Sequence, residues 1–578
     1  LAISWRAAVV TAIVIPTTIL LTLFGAWALG FTLNRVSLFA LIFAIGILVD
    51  DAIVVVENID RHWAMNDGRD RVQAAIEAVA EVGNPTIVAT LTVIVALLPM
   101  LFVSGLMGPY MGPIPAVAST AMLFSYFVAV MLTPWLMVKL GAGHLAHGEG
   151  ALARVYRMLA GPIVRRRWAS WLFLLVVGLA TLGSFALFAT RHVTVKLLPF
   201  DNKSELMVLL DLEKGASLED TERTLLQLAE ALEAVPEVVA ANLHAGTAAP
   251  FNFNGLVRHY FARRAPELGD LDVQLTPRHA RARESHAISL ELRERLHAVP
   301  LPAGARLKVV EVPPGPPVLA TLIAELYGPD AEARRATAER VREVFAAVPF
   351  LVDLDDTVRE PGTRLRIRLL PDELEFHGVE EEAVHDTLAA LLRGVQAGWS
   401  HRGAGRNPLA ITLRLSKEAR IPTERLLATP VPGRRGLVEL GDLVGIREEP
   451  ASRPIWRRNG RTMEMVTAEL AGAFEAPIYG MLAVMDGLAR VPDAPEIRFA
   501  SQPLDESRPA LLWEGEWEIT RVTFRDMGAA FAVALLGIYL LVVAQFQSFK
   551  VPLVVLLPVP LALLGVVLVL VAYLAFRA

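Results

Sequence analysis

Gly46-Ile47-Leu48-Val49-Asp50-Asp51-Ala52-Ile53-Val54-Val55-Val56-Glu57-Asn58 sets two adjacent carboxylates in the middle of an otherwise apolar run. A charged carboxylate at a bilayer centre costs about 2.5–3.5 kcal/mol on insertion scales, and a second compounds the cost. Such a pair persists only if it is protonated, matched by a cation, or turned towards a watery interior. Neighbours on a helix point about 100° apart, so the two side chains do not share one hydrogen bond. Burial and the adjacent charge both disfavour the ionised forms, which is the condition a carrier of H⁺ needs. The alternative is a pair neutralised by Arg or Lys for packing alone, but packing rarely requires two acids in one span.

Working outward, the 578-residue chain is 54% hydrophobic, and the apolar residues crowd its two ends. Seven apolar runs stand out, roughly 7–29, 34–57, 85–107, 113–138, 168–190, 527–546 and 551–575. Runs of about 20 apolar residues cross about 30 Å of hydrocarbon as helices. Arg6, Arg61, Arg69, Arg71, Arg154, Arg157 and Arg165–Arg167 all fall on one side of the resulting topology, which the positive-inside rule assigns to the cytoplasm. Residues 191–526 then lie outside. This places the chain as a polytopic α-helical membrane protein with one large water-exposed insert.

The insert alternates β-rich runs with amphipathic helices. Strands are expected at Leu206–Leu212, Val238–Leu243, Val318–Leu326, 350–356 and 364–370, with helices after Ser217 and at 330–347. Asn459-Gly460 is a hairpin signal. The spacing predicts an α+β insert of small split-βαβ, ferredoxin-like units, with a boundary at Pro313, Pro316 and Pro317. Residues 508–546 read as one helix entering the membrane. Ser4-Trp5-Arg6 followed by Pro16 is echoed at equal spacing by Ser548-Phe549-Lys550 followed by Pro560, the mark of a duplication.

Several function classes fall away. The chain has no Cys, which excludes disulfides and thiolate chemistry. The net charge of −5, with no basic tract, points away from nucleic acid. No P-loop and no Ser/His/Asp or metal-enzyme constellation occurs, so neither an enzyme nor a cofactor is expected. His144 and His147 form an incidental H-x-x-H without further ligands. Arg263-Arg264, Arg434-Arg435 and Arg457-Arg458 read as solvated faces or turn flanks, and Glu57-Asn58 as an interfacial helix end.

The Gly46–Asn58 stretch resembles the fourth-helix signature of resistance-nodulation-division (RND) efflux pumps. The likeness continues through Leu98-Pro99, the Gly/Pro turn at 105–113, Leu132-Thr133-Pro134, Leu197-Leu198-Pro199 and Ala544-Gln545-Phe546-Gln547-Ser548-Phe549. It implies a Gram-negative inner-membrane permease, joined just before the third of twelve helices and left after the ninth. Residues 1–190 would carry helices 3–7, and 527–578 helices 8–9. Residues 191–310 would form one periplasmic porter subdomain, 311–365 with 456–526 the second and its linker, and 366–455 a docking insert. Asp50 and Asp51 would be the proton relay, with Lys and Arg partners on helices beyond this chain, so the piece alone is expected not to transport. Phe251 and Phe253, in the Gly/Pro/Asn-rich stretch Ala245–Gly255, would face the drug pocket or else anchor the loop. The implied partners are two further copies in a homotrimer, a periplasmic adaptor, an outer-membrane channel, membrane lipid and small amphiphilic substrates. The acid doublet, with Met207 as the one Met between 201 and 310, favours the multidrug branch over metal export. An RND-type exporter of lipid or metal ion, or a non-transporting ligand-binding membrane protein, is the competing expectation.

Overall fold

The computed structural model describes residues 5–65, 67–141, 151–196, 200–250, 252–312, 318–359, 362–402, 406–416, 418–472, 474–562 and 564–567. Its chain divides into two compact units, one of Leu1–Asp211, Leu218–Thr357 and Met463–Ala578, the other of Leu212–Ser217 and Val358–Thr462.

The first unit opens with helices α1 (Trp5–Ala28), α2 (Arg35–Ala64), α3 (Arg71–Leu97), α4 (Met107–Leu140) and α5 (Arg167–Ala189). Local chemistry sets their ends. Asn34 Oδ1 accepts from Val36 N and Ser37 N, both at 2.9 Å, while Ser37 Oγ accepts from Asn34 N at 2.8 Å. This reciprocal cap is worth about 1 kcal/mol and starts α2 at Arg35. Asp70 likewise caps α3 through Val72 N at 3.2 Å. That cap starts α3 fourteen residues before the apolar run expected at 85–107, because its first turns are amphipathic and lie outside the purely apolar stretch.

A first sheet follows: β1 (Glu205–Asp211), α6 (Leu218–Glu233), β2 (Val238–Ala245), β3 (Leu268–Leu275), α7 (Ser285–His297) and β4 (Arg306–Val310). The strands pair antiparallel in the order β2-β3-β1-β4. Leu225, Leu228 and Leu232 of α6 and Ile288, Leu292 and Leu296 of α7 are buried at helical spacing. Each fully buried Leu contributes about 1.5–3 kcal/mol.

A second sheet is made of β5 (Leu322–Tyr327), α8 (Ala331–Ala346), β6 (Leu351–Asp356), β7 (Glu464–Leu470), α9 (Pro477–Leu488), β8 (Glu496–Arg498) and β9 (Ala510–Gly515), in the order β8-β9-β5-β7-β6. Then α10 (Glu516–Phe546) leads away. The expected single helix over 508–546 is therefore corrected. Leu511, Leu512 and Trp513 are buried strand residues paired to β5, and Gly515 at φ 82° turns the chain into the helix. A Cβ there would stand 2.6 Å from Ala320 O, so only Gly allows the switch.

Six helices are long and apolar enough to cross a membrane among the described residues: α1–α5 and α10, α3 continuing to Phe102. Of the run expected at 551–575, Val551–Leu556 is helical, while 568–575 lie outside the described residues, as do Leu197–Pro199, His144, His147 and Pro313–Pro317. Gly537 brings α10 against α3, since a Cβ on it would lie 2.4 Å from Val95 Cγ1. Gly537→Leu is expected to lower the thermal unfolding midpoint of the detergent-solubilised protein by several degrees, through overpacking that typically costs about 1–3 kcal/mol.

The second unit pairs Thr363–Leu369 with Val444–Pro450 and adds the hairpins Val395–Ser400/Leu409–Leu413 and Pro430–Gly433/Gly436–Glu439. Its core gathers Leu374, Val379, Val384, Leu426, Val431, Leu440, Leu443 and Val444. Asn459 (φ 49°) and Gly460 (φ 82°) make the expected two-residue turn between Arg457–Arg458 and Arg461–Thr462.

Candidate functional site

Asp51 is 8% exposed in the middle of α2, and Asp50 is exposed on the bundle surface. The helical offset between neighbours accounts for the difference. Asp51 sits on the face that packs on α4, where Leu48, Ala44, Ala118, Ala121 and Met122 are buried together. Ser125 of α4 donates its hydroxyl to Asp51 Oδ2 at 2.9 Å and lies 3.1 Å from Leu48 O. The buried carboxyl therefore has a fixed polar contact beside this apolar cluster.

Just beyond Ser125 the helix is irregular. Val128–Leu132 forms a π turn whose capping N–H, from Thr133, reaches Val128 O. Pro134 follows; it lacks the N–H that an α-helix would aim at residue 130, and its ring crowds that carbonyl. A widened turn relieves both. Such turns recur at functional sites, and this one begins three residues after Ser125, whose hydroxyl meets Asp51. If Asp51 carries H⁺, as the resemblance of Gly46–Asn58 implies, Ser125→Ala should slow transport by the full-length protein severalfold without abolishing it, since the Asp51 carboxyl is kept. Initial efflux rates at matched expression read this out.

Further along the buried face of α2, Asn58 is 7% exposed, and the helix continues to Ala64. Its Nδ2 donates to Ala78 O at 2.7 Å, and His62 Nε2 and Arg61 Nη2 meet Glu81 at 2.7 and 2.6 Å. Asp51, Val55, Asn58 and His62 follow one another at helical spacing, which the sequence could have revealed; Glu81, on α3, it could not.

Phe253 is 45% exposed and begins a single helical turn, Phe253–Val257, where a loop was expected. Asn252 caps that turn through Gly255 N at 2.7 Å. Phe251 lies outside the described residues. The approach to this turn is pinned by Ala249 N, which donates to Asp270 Oδ2 at 3.0 Å. Asp270 is fully buried and also meets Arg263 Nε at 2.8 Å, while Arg263 Nη2 meets Asp211 at 2.6 Å. Arg263 is thus no solvated turn flank. It lies between two buried carboxylates, and its neighbour Arg264 is exposed. No cluster of three or more His, Asp or Glu side chains able to hold a metal occurs among the described residues.

Apolar spans around a carboxyl buried in mid-helix, with a two-sheet insert between the fifth span and the sixth, define a multi-pass membrane permease. The family model described as the AcrB/AcrD/AcrF family matches residues 3–575, and the chain belongs to that family, the RND permeases, which are transporters and not enzymes. It is 28% identical over 375 residues to the multidrug resistance protein MdtC of Pantoea ananatis, covering 63% of this chain and 34% of the relative. It is 33% identical over 187 residues to the MdtC of Proteus mirabilis, covering 30% of this chain and 18% of the relative. An uncharacterized transporter of Haemophilus influenzae is 23% identical over 579 residues, or 97% of this chain and 52% of the relative. The chain spans about half the length, or less, of these relatives.

Proposed function

We propose that this chain forms part of a proton/drug antiporter that exports hydrophobic or amphiphilic compounds, with Asp50 and Asp51 taking up and releasing the driving H⁺. The observation that carries this is the Asp51 carboxyl buried in α2 and held by Ser125 beside a π turn; with the family membership, it gives a membrane-embedded acid a task. Asp51 is the inner member of the pair, gripped by α4. Asp50, on the outward side of the helix, would meet the basic side chains that complete the relay. Protonation and release then change the charge on α2, and with it the packing of α2 on its neighbours.

In this reading the insert is periplasmic. The orders β2-β3-β1-β4 and β9-β5-β7-β6, each with two helices, support two split-βαβ porter subdomains. Residues 366–455 would be the docking insert, and the working pump a homotrimer joined to an adaptor and an outer-membrane channel. Phe253, with Phe251, would contact substrate. The names of the MdtC relatives favour multidrug export over metal or lipid export.

The test is proton flux. The full-length protein in proteoliposomes with an imposed pH gradient should dissipate that gradient faster when substrate is added, and Asp50→Asn and Asp51→Asn should each remove the acceleration. Undiminished drug efflux by both variants at matched expression would refute the relay.

A further inference from the structure

The seam between the two sheets of the first unit is built of ion pairs. Arg258 meets Glu469, Arg293 meets Asp353, and Lys308 meets Asp355, while Arg306 lies 2.9 Å from Asp355. Among the described residues, Met207, Leu209 and Val310 cluster on the side of the first sheet, and Ala320, Ile323, Tyr327, Met463, Met465 and Leu512 on that of the second. Polar seams of this kind ordinarily permit relative motion.

Within the seam lies a narrow cleft of about 40 Å³ with Lys196, Phe200, Glu311, Glu475 and Glu516 in its lining. His286, at the start of α7, bridges its walls. Nδ1 is 2.9 Å from Glu311 on the first side, and Nε2 is 2.6 Å from Glu475 on the second. Both ring nitrogens face carboxylates, so the imidazole donates from both, which requires the imidazolium form. Phe200 stacks on it with centroids 4.1 Å apart, and Lys196 Nζ lies over Phe200 and 3.3 Å from Glu475.

We propose that His286 is a proton-binding site separate from the membrane carboxylates, whose occupancy is linked to closure of this cleft. With the walls together, the imidazolium is clasped by Glu311 and Glu475. With the walls apart, Glu475 is withdrawn and the ring returns its proton to solvent. Closure takes up one H⁺ and opening releases it. The inference does not depend on Asp50 or Asp51.

The charge balance sets the sign. Burial alone would depress the imidazole, but the hydrogen bonds and charges of Glu311 and Glu475 outweigh it and hold the group up at about 9, against an ordinary 6.5. Glu475 is held below the usual carboxylate range by the same contact, against its own burial. A raised group stabilises the clasped form fully below its ordinary value, and that stability is lost as pH rises through about 9. The other groups facing the ring are Ser289, which donates its hydroxyl to Glu311 at 2.6 Å, and the cleft residues Lys196 and Glu516. Burial depresses Lys196 more than Glu475 restores it, so Lys196 must be controlled for.

The chain has no Cys, so spin labels can be placed uniquely at Leu226→Cys on α6 and Leu482→Cys on α9, both exposed. Pulsed electron-spin distances are expected to show one short component at pH 7 and a longer one that becomes the majority above about pH 9. His286→Gln and Glu475→Gln should each show the long component at pH 7, and His286→Lys should move the transition upward. Lys196→Gln should leave the transition in place. If His286→Gln keeps both the short distance at pH 7 and the same midpoint, the clasp is overturned. A midpoint that follows Lys196→Gln instead would assign the transition to the lysine and overturn it equally.

Discussion

Asp51→Asn in the full-length protein is expected to cut the initial rate of drug efflux by at least about tenfold, and to return drug susceptibility to that of a strain without the pump. The substitution is chosen for what it keeps. Asn has the size of Asp, and its amide oxygen can still accept from the Ser125 hydroxyl that now bonds Asp51 at 2.9 Å. The apolar packing of Leu48 and Ala121 is undisturbed. What it removes is the exchangeable proton, and each tenfold fall in rate corresponds to about 1.4 kcal/mol in the barrier. Asp51→Glu, which keeps the proton but lengthens the arm in a tight site, should restore part of the rate. Equal losses in both variants would mean that shape, not protonation, is what matters there.

Arg263→Met is expected to lower the stability of the first sheet by about 3–5 kcal/mol, the usual cost of removing one partner from a buried ion pair. Here it leaves two carboxylates, Asp211 and Asp270, without their cation, and Asp270 is fully buried. Arg263 also donates to Leu210 O at 3.1 Å, so a strand loses a tie as well. Because Asp270 holds Ala249, protease sensitivity should rise first between Ala245 and Gly255. The triple change Arg263→Met, Asp211→Leu, Asp270→Leu, which strands no charge, should recover much of the thermal midpoint while leaving the 245–255 segment loose. If Arg263→Met melts with the unsubstituted protein, the triad contributes nothing measurable.

The membrane half was legible because its signals are local. Length and hydropathy mark α1, α5 and the start of α2 to within a few residues, though α2 runs on to Ala64, and Asp50-Asp51 stands out because nothing around it is polar. The helices of the insert were legible for the same reason, since Leu225, Leu228 and Leu232 repeat at one helical face. Where two periods compete, the sequence misled. Leu511-Leu512-Trp513 suits a buried strand as well as a helix, and only pairing with β5 decides between them. Arg263 looked like a surface residue because a lone Arg usually is one; its partners lie 52 residues before it and 7 after, on different strands.

By itself the sequence determined where the chain can enter a bilayer, which helix holds the acids, and where caps such as Asn34 and Asp70 start a helix. These depend on neighbours a few positions apart, and a few positions are enough to fix hydropathy, caps and turns. Only the tertiary structure decided that Asp51 and not Asp50 is buried, that Ser125 is its partner 74 residues away, and that His286 stands between Glu311 and Glu475. Burial and hydrogen bonding are properties of what lies opposite, and packing places there residues from distant parts of the chain.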